Sequence, residues 1–331
     1  MRQATSAFAL MAMAFAPIGA AHADDMDQVT FQTDWIASGE HAAYYGAWEK
    51  GIFADHGIDV TVIRGYGSGD TVTKVASRSA DFGIADIGAT LTGRARQDVP
   101  ATIISTLYTH SPHSLFVLES SGITDFSDLE GRRIGITPGN SHRVYFPHIA
   151  EMSGTDPTQI NWVNMDGGAM ATQLIAGNID AAPFYSIHHY YQNKAAEREG
   201  ESINVLPFVE TGFAIYAAAL ITSDTMIENN PDLVERMTAA VHEAWHWANE
   251  NPEEACELHI VRIPEVAMDD CMGSLTATLD FVFNDHTAEV GVGTLDDERL
   301  MSTWEAVAEA EGLDMEWDPR QAFNMSFLPQ E

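Results

Sequence analysis

The sequence predicts an α/β protein of two units, each a sheet flanked by helices. Three observations carry this. Short alternating or apolar runs of strand length recur between stretches of helical period, the pattern of strand–helix–strand units. With 331 residues, 45% hydrophobic and 20% charged, the chain has the length and composition for two globular domains. Residues with no periodic role gather at the carboxyl ends of the strand runs, where open α/β sheets hold their ligands.

Val29–Asp34 alternates as a strand, and His41–Ile52 follows with helical period. Ile58–Arg64 is the next strand; the loop Gly65–Gly69 then leads, with Asp70 as N-cap, into a helix over Thr71–Ser79. Phe82–Ile87 and Ala101–Tyr108 complete the first unit, which ends near Pro112. The second unit, 113–210, reads as strands Ser114–Leu118, Arg133–Thr137, Ile160–Asn164 and Ile179–Phe184. Helices Ser141–Met152 and Ala169–Ala176 lie between them. Phe213–Thr222 returns as a strand, and the rest is helical to about Glu311, with Asn230-Pro231 opening one helix.

Charge narrows the function classes. Lys and Arg total 16 against 49 Asp and Glu, a net charge of −33, which excludes a phosphate-backbone binder. Anionic membrane surfaces repel such a chain. Lysine occurs only at Lys50, Lys74 and Lys194; this fits either solubility at high salt or ordinary surface drift.

Met1–Ala23 reads as an export signal. Arg2 precedes the apolar run Ala7–Ala16, Pro17 and Gly19 break it, and Ala21-His22-Ala23 is a small-x-small cleavage pattern. The run is too short to span a bilayer, which takes about 20 residues. The expected mature protein starts at Asp24, in the periplasm. Cys256 and Cys271, the two cysteines of the chain, flank Ile263-Pro264 in a late helical stretch; they read either as a bridge across a helical hairpin or as two small buried apolar residues.

Several motifs then align with one family. Thr33-Asp34-Trp35, followed by His41-Ala42-Ala43-Tyr44 and Lys50-Gly51-Ile52-Phe53, resembles the opening of the thiamine-pyrimidine-precursor binding and synthesis family. Its relatives bind alkanesulfonates, taurine or nitrate for ABC importers. Ala80–Asp86, Phe126–Gly131 with Ile134-Gly135-Ile136, and Gly177–Ala181 resemble later landmarks of the same family, and together they cover about residues 28–215. The resemblance implies a periplasmic-binding-protein fold of the second type, with a hinge crossed twice. One lobe is then 24–112 with 211–331, the other 113–210, and ligand closes the lobes on each other. Ile36-Ala37 stands where the pyrimidine branch has a Pro-Asn-like pair, which leaves the ligand open.

The candidate site follows from residue chemistry. Trp35, Tyr44 and Tyr185 offer flat surfaces for a planar ring. Tyr45 adjoins Tyr44 on one helix, so the two cannot share the cleft; Tyr45 is assigned to core or surface. Gly67, Ser68 and Gly69 lead into a helix whose free N–H groups suit an anion, although a plain tight turn explains them equally. Pro138, Gly139, Asn140 and Ser141 offer the same on the second lobe, with Arg143 nearby. Asp34, Asp86 and Asp166 point instead to a ligand with donor groups, although in a chain this acidic an Asp reads first as a surface or cap residue, Asp34 beside Trp35 excepted; His41 joins the set through the family motif.

His242-Glu243-Ala244-Trp245-His246 matches the H-E-x-x-H zinc pattern. The apolar face Leu233, Met237, Val241, Ala244 and Ala248 turns both histidines outward, and the third ligand of a catalytic zinc is missing, so a solvated helix face is expected. The resulting expectation is a monomeric periplasmic receptor of an ABC importer, with no cofactor or metal and no catalysis. It binds a small planar heterocycle, thiamine-pyrimidine-like, or alternatively a sulfonate, nitrate or other small anion, and hands it to a membrane permease. A pyrimidine synthase of the same fold is the enzyme alternative. That branch carries a cysteine-rich run, absent here, and works inside the cell.

Overall fold

In the computed structural model, which describes residues 26–213 and 215–329, β1 (Asp27–Gln32) and β2 (Ile58–Ile63) pair in parallel along their whole length. β3 (Phe82–Asp86) pairs in parallel with the other edge of β1. β4 (Ala101–Thr106) does not touch β3: the late strand β10 (Ala218–Ser223) inserts antiparallel between them, giving the order β2-β1-β3-β10-β4. Every residue of β3, β4 and β10 is buried, as expected of strands covered on both faces.

The second lobe is built from β5 (His113–Leu118), β6 (Arg133–Ile136), β7 (Asn161–Asn164), β8 (Ala182–Tyr185) and β9 (Ile203–Pro207). β5 lies antiparallel between β8 and β9, and β6 pairs in parallel with β7; an Ile134–Ala181 bridge ties the two groups. The chain crosses between lobes after Thr106 and again after Pro207. The segment Met1–Ala23 lies outside the described residues.

Helices cover the sheets of both lobes. α1 (Ala42–Lys50), α2 (Ile52–Asp55), α3 (Ser68–Ala76) and α4 (Ile87–Gln97) belong to the first lobe; α5 (His142–Ser153), α6 (Gly167–Ile175) and α7 (His189–Glu197) belong to the second. After β10 come α8 (Asp224–Asn229), α9 (Pro231–Glu250), α10 (Pro252–Arg262), α11 (Met268–Val282), α12 (Asp285–Val290) and α13 (Asp297–Glu311). α9 and α10 pack on α1, so the C-terminal third buttresses the first lobe. Cys256 on α10 and Cys271 on α11 are bonded to each other and fully buried. Closing a loop of 15 residues in this way contributes about 3 kcal/mol by restricting the unfolded chain.

The structure corrects the sequence reading at several ends. α3 starts at Ser68 with Gly67 as its cap, because Gly67 adopts φ +116°, which only glycine takes without strain. Asp70 therefore sits in the first turn, 2.9 Å from Lys74, and caps nothing. The strands expected from Phe213 and Ile179 begin at Ala218 and Ala182, and β9, α4 and α7 were not anticipated. Among the described residues no helix is long and apolar enough to cross a membrane.

Candidate ligand cleft

A narrow crevice with about 330 Å³ of empty space lies between the lobes. The first lobe contributes Asp34 and Trp35, just beyond β1, and Gly67 and Ser68 at the start of α3. The second contributes Asn140, Ser141 and His142 before and at the start of α5, and Pro183, Phe184, Tyr185 and His188 along and after β8. Both helix N-termini and both strand ends thus face one gap, as the strand-end rule requires.

The lobes are closed over this gap. The Gly69 N–H donates to the Gly139 carbonyl across it at 3.0 Å. A Cβ on Gly67 would stand 3.0 Å from the same carbonyl, so a side chain there would hold the lobes apart. Trp35 reaches over to the second lobe: its ring tip would meet a Cβ on Gly167 at 2.7 Å, and it packs on the apolar cluster of Met170 and Phe184.

Behind Asp34 runs a buried polar chain. His41 Nε2 lies 3.1 Å from Asp34 Oδ1, while His41 Nδ1 accepts the Ser38 N–H at 3.3 Å. That pairing fixes the ring with its proton on Nε2, donating to Asp34. Glu40 Oε1 lies 3.0 Å from His188 Nε2, joining the lobes, and Glu40 Oε2 is buried without a partner. Burial opposes ionisation of Glu40, yet His188 and His41 outweigh it and hold its carboxyl below the ordinary value. Asp34, Glu40 and His41 bring ligand atoms within 4.8 Å of one another, but a metal-bound histidine donates its second ring N–H, and here that nitrogen accepts. In this arrangement the trio is a hydrogen-bond network.

Two hydroxyls face the gap from the floor. Ser68 Oγ accepts the Asp86 N–H at 2.9 Å, which leaves its own proton free to donate. Ser141 Oγ lies 3.0 Å from His113 Nε2. His142 is neutral, its pKa pushed down to about 3 by burial.

Seven of the residues singled out from sequence line the crevice: Asp34, Trp35, Gly67, Ser68, Asn140, Ser141 and Tyr185. His41 stands one hydrogen bond behind it; Gly69 and Gly139 form the lobe contact, with Pro138 exposed beside them. Asp166 is exposed and caps α6 through the Gly168 N–H. Tyr44 is not in the cleft: it is 1% exposed and accepts a hydrogen bond from Trp245 Nε1 at 3.1 Å, because α9 closes over that face of α1. Asp86 lies beneath the floor, capping α4 and accepting the Tyr145 hydroxyl at 2.6 Å. Arg143 stacks on Trp162, away from the gap. Of the zinc-like pair, only His246 is exposed; His242 is buried 2.8 Å from Ser105 Oγ, since β4 passes beneath it. Pro183 and His188 were missed as lining residues, although Ser186-Ile187-His188-His189 follows Tyr185 directly, while His142 and Phe184 belong to the strand-end segments 138–142 and 184–185 that the sequence already marks.

Residues 38–255 match the family model described as NMT1/THI5 like. The riboflavin-binding protein RibY of Chloroflexus aurantiacus is 27% identical over 315 residues, covering 92% of this chain and 87% of that protein. The 4-amino-5-hydroxymethyl-2-methylpyrimidine phosphate synthase of Candida albicans is 27% identical over 238 residues, 69% of each chain. In structure, the alkanesulfonate-binding protein SsuA from Xanthomonas axonopodis pv. citri, bound to MOPS, superposes with a TM-score of 0.70 at 13% identity, covering 90% of this chain and 98% of that one. The fold is that of a periplasmic binding protein.

Proposed function

The chain belongs to the NMT1/THI5-like family, and from that premise we propose that it is an exported receptor that binds a planar nitrogen heterocycle, thiamine-pyrimidine-like, and delivers it to the permease of an ABC importer by lobe closure. One observation carries the choice of ligand. Among the described residues lining the crevice none is Lys or Arg, while the Asp34 carboxylate lies beside Trp35. A buried anion there would face the Asp34 carboxylate with no Lys or Arg beside it, which is costly. A ring with amino or ring N–H donors would satisfy Asp34 and stack on Trp35 or Tyr185, with Ser68 free to donate to a ring nitrogen.

Riboflavin is the second reading, supported by the relative whose similarity spans 92% of this chain. Against the synthase reading stands the absence of that branch's cysteine-rich run: the chain has two cysteines, bonded to each other and buried. Calorimetric titration of the mature protein with 4-amino-5-hydroxymethyl-2-methylpyrimidine, riboflavin, taurine and nitrate tests it. Tightest binding of the aminopyrimidine supports the reading, riboflavin moves it to the second, and saturable nitrate or taurine binding alone overturns both.

A further inference from the structure

Helix α11 touches both halves of the cleft. On one side Gly39 lies against it so closely that a Cβ would stand 2.2 Å from the Cys271 carbonyl oxygen. Gly39 opens the turn that carries Glu40 and His41, the partners of His188 and Asp34. On its other side α11 meets α7 of the second lobe: a Cβ on Gly273 would stand 2.6 Å from the Tyr190 ring, and Lys194 reaches Asp269 and Asp270 at 2.5 and 2.8 Å. The neighbouring helix α10 bears on the same segment, since a Cβ on Gly46 of α1 would stand 2.8 Å from the Ala255 carbonyl, one residue from Cys256.

The two cysteines therefore join the two helices on which the Gly39–Lys50 segment rests, at the positions where it rests on them. We infer that the Cys256–Cys271 bond is a positioning element of the ligand site: it fixes α11 as a platform that aligns the Asp34–His41 pair and receives α7 when the lobes close. The bond acts through Gly39 and touches no ligand. A loosened α11 shifts the turn by the few tenths of an ångström that separate an organised polar site from a slack one, and it removes the firm surface against which the second lobe docks. The inference rests on the cleft being the ligand site.

Two variants of the full mature chain test it. Cys256→Ala/Cys271→Ala removes the bond; Gly39→Ala leaves it in place and pushes the turn off α11. Affinity for 4-amino-5-hydroxymethyl-2-methylpyrimidine is measured by calorimetry, lobe closure by small-angle scattering with and without it, and integrity by thermal melting. Both variants are expected to melt cooperatively, to bind about tenfold or more weakly, and to scatter as a more open particle than wild type. A folded double-cysteine variant with wild-type affinity and wild-type scattering overturns the inference. Should that variant fail to fold, Gly39→Ala decides alone, and unchanged affinity and scattering in it overturn the inference equally. If the wild type does not bind the pyrimidine, the ligand proposal fails by itself, and the scattering difference between wild type and variants still decides the role of the bond.

Discussion

Glu40 of the first lobe and His188 of the second meet 3.0 Å apart with 2–3% of either side chain exposed. Because the pair spans the lobes, it exists only while they are closed, so its energy belongs to binding. Removing one partner of a buried pair strands the other and costs about 3–5 kcal/mol. Gln keeps a hydrogen bond to His188, so Glu40→Gln should weaken ligand binding by a smaller ~2–3 kcal/mol while the ligand-free melting temperature moves little. A double-mutant cycle with His188→Gln should show coupling of ~1 kcal/mol or more. Unchanged affinity with a lowered melting temperature would assign the pair to fold stability alone.

Asp34→Asn separates the two ligand classes. A hydrogen bond to a charged group contributes about 1.5–3 kcal/mol, and the variant should lose that much affinity for an amino-bearing heterocycle. An anion should bind no worse, since a repulsive carboxylate is gone. Parallel titrations of the aminopyrimidine and nitrate on the variant check this. Equal heterocycle affinity in both proteins would remove Asp34 from ligand recognition.

The strands and loop positions of the site were legible because they follow local rules: alternation in β2, free-standing loops at strand ends, and Trp35 next to Asp34. What was hidden depends on residues far away in the chain. Tyr44 and Tyr45 are neighbours on α1, and nothing local announces that Trp245, 201 residues later, covers Tyr44. His188 gains its meaning from Glu40, 148 residues earlier, and His242 loses its apparent exposure to Ser105, 137 residues away. The shifted start of α3 has another cause. Asp70 is the better cap by composition, but the backbone of Gly67 turns first and leaves Asp70 to pair with Lys74.

Trp35→Ala should act on binding rather than folding. Trp35 is only partly buried, even with the lobes shut, and packs across the gap against the second lobe. Loss of an aromatic anchor of this kind costs ~2–4 kcal/mol of binding. Truncating a core Trp instead costs ~3–5 kcal/mol of stability. Melting and titration of the same variant separate the two, and a collapsed melting temperature with near-normal affinity would sink the stacking role.

Asp86 is fully buried under the cleft floor, and burial raises its pKa to about 7 despite hydrogen bonds from Tyr145, Ala89 and Gly88. Its Oδ2 has no hydrogen-bond partner and stands 3.4 Å from His113 Nε2, in a ring that burial holds neutral. The folded protein thus keeps a proton on Asp86 up to about pH 7, whereas the unfolded chain releases it near pH 4. Between those values the native state binds more protons, so this group's contribution to stability falls as pH rises from about 4 to about 7 and is flat above that. Asp86→Asn cannot ionise and retains an oxygen for the Tyr145 hydroxyl. Wild type should therefore lose melting temperature relative to the variant across that window, with the difference levelling off near pH 8. Melting curves at half-unit steps from pH 4.5 to 8.5 give the comparison. Curves that run parallel throughout would show that Asp86 is already ionised in the folded protein at pH 4.5.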